Sequence, residues 1–105
     1  MRTFPREVAA FQEIAKQRAV ALQHSSFEKL EALASEPVEH LSVEGRPATI
    51  GLLVERVDAN RLRVVVQGFM EHRFFPGRSV ALDGFYKSLD GTVAPMSYRE
   101  LYQYD

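Results

Sequence analysis

The residues of this chain that could carry chemistry are scattered along it. Three histidines, His24, His40 and His72, could bind a metal ion or transfer protons, but no two of them lie two or four positions apart. The chain contains no cysteine, which removes thiolate nucleophiles, thiolate metal ligands and disulfides together. The sequence therefore predicts no metal site and no cofactor.

A partial nucleophile motif begins at Gly77. Gly77-Arg78-Ser79 matches the first half of the G-x-S-x-G elbow, but position 81 is alanine. The segment also follows a predicted turn into a strand, whereas the elbow requires a strand that leads into a helix. The remaining candidates are isolated carboxylates of the kind usual on a solvated surface: Glu55, Glu71, Asp83 and Asp90. We expect a protein without catalytic activity.

Arginines and aromatic residues recur along one predicted strand. Its odd positions carry Arg61, Arg63, Gln67, Phe69, Arg73 and Phe75. Such a strand face can hold a single-stranded nucleic acid through phosphate contacts and base stacking. However, the net charge of −1 provides no general attraction to nucleic acid, and carboxylates at positions 55 and 71 weaken the local field. We therefore rank nucleic-acid binding third, after a protein-interaction module and a small-molecule pocket.

Length and composition indicate one soluble domain. The 105 residues, of which 46% are hydrophobic and 26% charged, are typical of a single globular domain over residues 1–105. Its helical part covers residues 1–35 and its sheet residues 38–105. The start of the chain has no apolar leader, and the most apolar early stretch, residues 8–22, contains charged side chains. We expect a cytoplasmic protein without a membrane segment.

The first third of the chain predicts helix. The apolar residues Val8, Phe11, Ala15, Ala19 and Leu22 share one helical face. Ser25 and Glu28 form a capping-box pattern, which predicts a break near residues 24–26. A second short helix then carries Phe27, Leu30 and Leu33. A single continuous helix is the alternative.

The remaining two thirds predict antiparallel strands. Turn signals occur at Glu44-Gly45-Arg46-Pro47, Pro76-Gly77 and Asp90-Gly91. The expected strands are residues 38–43, 48–57, 61–75, 80–87 and 92–96. Connections this short leave no room for crossover helices, so the sheet must be antiparallel. A second capping-box pattern at Ser97 and Glu100 predicts one helical turn over residues 98–102.

The central hairpin predicts two different sheet faces. A loop of Asp58-Ala59-Asn60 pairs Val57 with Arg61 and sets Glu55 opposite Arg63, whereas a one-residue slip sets two arginines opposite each other. The preferred register places these residues under the helix: Ile50, Leu52, Val54, Leu62, Val64, Val66 and Met70. Gly51 and Gly68 in mid-strand indicate a bent sheet. The expected fold is α+β, with a kinked helix or two helices on one face of a curved sheet of four or five antiparallel strands.

The other face of this sheet is only partly polar, which underlies the leading hypothesis. Either the C-terminal segment covers it, or a second copy does. The leading hypothesis is a protein-interaction or regulatory module that forms a homodimer through this face. The candidate interaction face consists of Leu53, Val57, Arg61, Arg63, Val65, Gln67, Phe69 and Arg73. Four late tyrosines fit either an interface or an anchor for the C-terminus: Tyr86, Tyr98, Tyr102 and Tyr104.

The alternative hypothesis is a small-molecule pocket, with or without enzymatic activity, between the helix and the curved sheet near Gly51, Gly68 and His72. A helix followed by a curved antiparallel sheet is similar in architecture to the cystatin-like and nuclear-transport-factor-like folds. These folds host both enzymes and passive binding proteins, so the similarity implies no particular activity and no site residues.

Overall fold

The chain folds as two helices followed by a sheet of five antiparallel strands. A computed structural model describes residues 5–33, 38–71 and 78–104. The helices are α1, Pro5–Gln23, and α2, Phe27–Ala32. The strands are β1, Glu39–Val43; β2, Arg46–Asp58; β3, Arg61–Glu71; β4, Arg78–Ser88; and β5, Val93–Pro95. The chain continues through α3, Tyr98–Leu101, and a 3-10 turn, Tyr102–Tyr104. The strands follow one another in the order β1-β2-β3-β4-β5 in a curved, open sheet, which confirms the predicted fold class.

The predicted break between two helices is confirmed, but its cap lies one residue later than expected. The Ser25 backbone N–H donates to the carbonyl of Leu22 at 3.0 Å and so takes part in the end of α1. Ser26 instead caps α2, and its side chain accepts a hydrogen bond from the backbone N–H of Lys29. None of the described helices is long and apolar enough to cross a membrane.

The first hairpin turns at Glu44 and Gly45, whose φ angles are +52° and +79°. Two consecutive residues with positive φ give the tight two-residue turn that suits the twist of an antiparallel hairpin. The predicted turn is thus confirmed in its first half. Arg46 already belongs to β2, which begins two residues earlier than expected.

The predicted register of β2 and β3 is confirmed over most of the hairpin and is wrong at its tip. Glu55 lies opposite Arg63, as expected, but Arg61 lies opposite Asp58 because Val57 forms a β-bulge. The Asp58 carboxylate accepts the backbone N–H of Asn60 at 2.8 Å, which stabilises a tighter turn than the predicted three-residue loop. The bulge absorbs the extra residue and leaves the rest of the register unchanged.

The core lies between α1 and the face of the sheet that the register predicted. Among the described residues of α1, Phe11, Ala15 and Ala19 are fully buried, whereas Val8 is 38% exposed, contrary to the predicted stripe. The sheet residues in this core are Val43, Ala48, Ile50, Leu62, Val64, Val66, Met70, Ala81 and Phe85, with Leu52 and Val54 partly buried beside them. Phe11 reaches the sheet at Gly68, where an added Cβ would lie 2.5 Å from the ring. Gly68 therefore allows the helix to approach closely.

Two polar contacts fix the position of α1 along β4. The Gln12 side chain donates to the carbonyl of Leu82 at 2.7 Å and accepts the Leu82 N–H at 3.2 Å. Since β5 pairs only with residues 85–87 of β4, Gln12 takes the place of a neighbouring strand at Leu82. At the other end of α1, the buried Lys87 donates a hydrogen bond from Nζ to the carbonyl of Gln23 at 2.9 Å. Its positive charge compensates the partial negative charge at the helix C-terminus.

Several predicted features lie outside the described residues. They are the Pro76-Gly77 turn, His72, Arg73 and Phe75. The turn at Asp90-Gly91 lies inside them and is confirmed, with φ of +96° at Gly91.

The contact between Phe11 and Gly68 leads to a first prediction. A methyl group at position 68 would displace the Phe11 ring, so Gly68→Ala should lower the free energy of unfolding by about 1–3 kcal/mol in chemical denaturation. The loss should shrink in a Phe11→Leu background, because the smaller side chain leaves room for the methyl group.

Gly51→Ala is the matched control. Its Cβ would lie 3.4 Å from Val38 and 3.9 Å from the carbonyl of Gln67, both ordinary contacts, so the change should stay within about 0.5 kcal/mol. Equal losses at both glycines would contradict the proposed role of Gly68.

Candidate functional site

The candidate site is the second face of the sheet, the one opposite α1. Its central residue is Val65, which is fully buried and lies between Leu53 of β2 and Gly84 of β4. Met96 and Leu101 pack on this position and form with Val65 and Tyr86 a cluster separate from the main core. The C-terminal segment therefore covers the centre of the second face within the same chain.

Gly84 makes this cover possible. A Cβ at Gly84 would lie 2.7 Å from the sulfur of Met96 and 3.3 Å from Leu101. The absence of a side chain thus allows both residues to pack against the strand. The sequence interpretation missed Gly84 and Met96, although a glycine inside a strand is the signal that drew attention to Gly51 and Gly68.

Glu100 links α3 to the sheet. The predicted capping box is confirmed: the Ser97 hydroxyl accepts the Glu100 N–H at 3.2 Å, and the Glu100 carboxylate accepts the Ser97 N–H at 2.9 Å. The second carboxylate oxygen accepts a hydrogen bond from the Tyr86 hydroxyl. These donors, the Ser97 N–H first and the Tyr86 hydroxyl next, together with the charge of Arg63, hold the pKa of Glu100 below its ordinary value.

The arginines of the predicted stripe have partners in the same chain. The guanidinium of Arg61 lies 4.1 Å from the centre of the Tyr86 ring, and that of Arg63 lies 5.7 Å from it. Arg63 also forms an ion pair with Glu55, with 3.5 Å between nitrogen and oxygen. These contacts are typical of a strand face with cross-strand pairs, and they engage the charges that a nucleic acid would have to contact.

The β2 side of the second face is open. Leu53 and Val57 remain 37% and 40% exposed, although Leu53 is the direct neighbour of the fully buried Val65. Phe69 is half-buried on β3, opposite Thr49. We call the region formed by Thr49, Leu53, Val57 and Phe69 the open face.

The other members of the candidate interaction face have different surroundings. Gln67 is half-buried between the positions of Gly51 and Leu82, and Arg73 lies outside the described residues. Among the tyrosines, Tyr86 is buried and anchors α3, whereas Tyr98 and Tyr102 are 80% and 68% exposed. Of the described members of the candidate interaction face, Leu53, Val57 and Phe69 thus bring apolar surface to the open face.

A second concave surface lies on the helix side of the sheet. It is an apolar groove of about 580 Å³ between α1, the end of α2 and the β1–β2 part of the sheet. Gly51 lines it, as the pocket hypothesis expected, whereas the position of Gly68 is filled by Phe11. Arg18 and Glu39 also line the groove and bind each other through two hydrogen bonds, one of them 2.9 Å long.

The two histidines in the described part of the chain lie apart: His24 is exposed in the turn after α1, and His40 is exposed on β1. No group of three or more histidine, aspartate or glutamate side chains within residues 5–33, 38–71 and 78–104 could hold a metal ion. No protein-family model, curated protein or solved structure matches this chain.

The contacts of Glu100 lead to a prediction about pH. The pKa of Glu100 is lower in the folded chain than its ordinary value of 4.5. Ionised Glu100 therefore stabilises the packed C-terminal segment at pH values above 4.5. This stabilisation is lost as the pH falls through the pKa of the folded state. Met96 should therefore oxidise faster with peroxide as the pH drops below about 4.5, while Met70, fully buried in the main core, stays protected.

Glu100→Gln cannot titrate and is the matched variant. It should raise Met96 oxidation at neutral pH and flatten its dependence on pH, as read by mass spectrometry of the two methionines. The same pH profile in both proteins would show that Glu100 does not hold the segment.

Proposed function

We propose that this chain is a small non-catalytic interaction module that forms a homodimer through the open face. The observation that supports the proposal is the difference in solvent exposure between Val65 and Leu53. These two neighbours belong to one apolar row, yet Val65 is fully buried under the C-terminal segment and Leu53 is exposed. Among the described residues, the C-terminal segment covers Val65 and leaves Leu53 partly exposed to solvent, which favours a partner there.

A second copy fits this surface by its charges. Glu55 and Arg63 lie beside Leu53 on the same face and form an ion pair with each other, so the border of the open face carries both signs and little net charge. A second copy with the same border therefore meets little electrostatic repulsion there. The net charge of −1 per chain gives little repulsion between copies.

The outer edge of β2 supports the same partner. β1 pairs only with residues 46–50 of β2, so no described strand borders β2 from Gly51 onward. A strand edge that no described strand borders, beside an apolar row, favours association with another chain. The bulge at Val57 limits this edge to a few residues and restrains open-ended aggregation.

The test is sedimentation of the full chain across a concentration series. Wild-type protein should form a dimer at tens of micromolar. Leu53→Asp should raise the dimer dissociation constant at least tenfold, which corresponds to about 1.4 kcal/mol, because a carboxylate would be buried at the centre of the interface.

Val20→Asp is the matched control. Val20 is 44% exposed on α1, on the opposite side of the sheet from the open face, so the same type of substitution there should leave the dissociation constant unchanged. A wild-type monomer at all accessible concentrations, or equal effects of the two substitutions, would contradict dimerisation through the open face.

A further inference from the structure

The groove on the helix side arises from the position of α1. Because α1 lies mainly over β3 and β4, the β1–β2 part of the core face is only partly covered. The floor of the groove contains Ile50 and Leu52, and its helical wall contains Leu22 and Leu33. The groove and the open face lie on opposite sides of the sheet.

The size and lining of the groove suit a small apolar molecule. Sites for small molecules usually enclose about 300–1,000 Å³ and combine mainly apolar walls with a few polar groups that orient the ligand. A volume of about 580 Å³ falls in this range. Ala21 on the helical wall contributes little side-chain volume, which leaves space between the larger residues.

The groove has one charged feature among its described lining residues, the pair of Arg18 and Glu39. Both side chains are nearly half exposed, at 42% and 49%. The Glu39 carboxylate binds the guanidinium in the two-pronged geometry that arginine offers to any carboxylate. An exposed ion pair of this kind contributes at most about 1 kcal/mol, so another carboxylate can replace Glu39 at little cost.

We propose that the groove binds an amphiphilic monocarboxylate, with its apolar chain against Leu22, Leu33 and Leu52 and its carboxylate on Arg18 in place of Glu39. The charge of Arg18 selects an anionic head, and the apolar walls select a hydrocarbon tail. Glu39 acts as an internal competitor that keeps the affinity moderate.

The test is a titration of the ¹⁵N-labelled full chain with sodium decanoate below its micelle-forming concentration, followed by NMR. Amide shifts should change at Ala21, Gly51 and Leu52 with saturable binding. Decanol, which has the same chain length and no charge, should bind at least tenfold more weakly, because it lacks the contact with the guanidinium.

Three variants locate the head group. Arg18→Gln should weaken decanoate binding at least tenfold and leave decanol binding unchanged. Glu39→Gln should tighten decanoate binding several-fold, because the competing carboxylate is gone. Arg99→Gln, an exposed arginine on α3, should have no effect on either compound.

Ala21→Trp tests whether the hydrocarbon tail binds in the groove, because the indole side chain would fill it. The variant should abolish binding of both compounds while circular dichroism shows an intact fold. Equal affinity for decanoate and decanol, no effect of Arg18→Gln, binding only after Glu39→Gln, shifts confined to other surfaces, or no saturable binding would each overturn the proposal.

Discussion

The packing of Phe11 against Gly68 determines how the helix lies on the sheet. The ring fills the space of a missing side chain in the middle of β3, and the small residues Ala15 and Ala19 keep the rest of α1 equally close. Close packing in a core leaves little freedom for the helix to slide. Gln12 and Lys87 then fix α1 along β4.

The position of α1 leaves the β1–β2 part of the core face partly uncovered. One helix cannot cover five curved strands, and α1 is held over β3 and β4. The short α2 protects the region near the hairpin tip, where Arg56 forms an ion pair with Glu31 and lies over the Phe27 ring. The surface that remains between them is the apolar groove beside Arg18 and Glu39.

The second face is likewise covered only in part by the described residues. A sheet with apolar residues on both sides needs two covers, and residues 96–104 supply the second one. They protect Val65 and Tyr86 through Met96 and Leu101 but do not reach Leu53 or Val57. The proposed dimer face and the proposed ligand groove are thus both surfaces that the described helices and the C-terminal segment leave uncovered.

Local patterns in the sequence were sufficient to predict the elements and most of the pairing. The alternation of apolar residues and the opposite charges of Glu55 and Arg63 identified the register, and the capping pattern at Ser97 and Glu100 identified α3. These features depend on neighbours along the chain or directly across one hairpin. The bulge at Val57 and the shift of the cap to Ser26 were missed, because a single hydrogen bond at a turn decides each of them.

Which parts of the two sheet faces are buried depends on contacts between residues that are far apart in sequence. Whether Val65 faces solvent is decided by Met96 and Leu101, which lie more than 30 positions away and pack there only because Gly84 lacks a side chain. The partners of Arg61 and Arg18 are likewise remote in sequence. The sequence by itself determined an α+β chain whose sheet is apolar on both faces. Only the tertiary structure decided which part of each face stays open, because that depends on how far one helix and one short C-terminal segment can extend over a curved sheet.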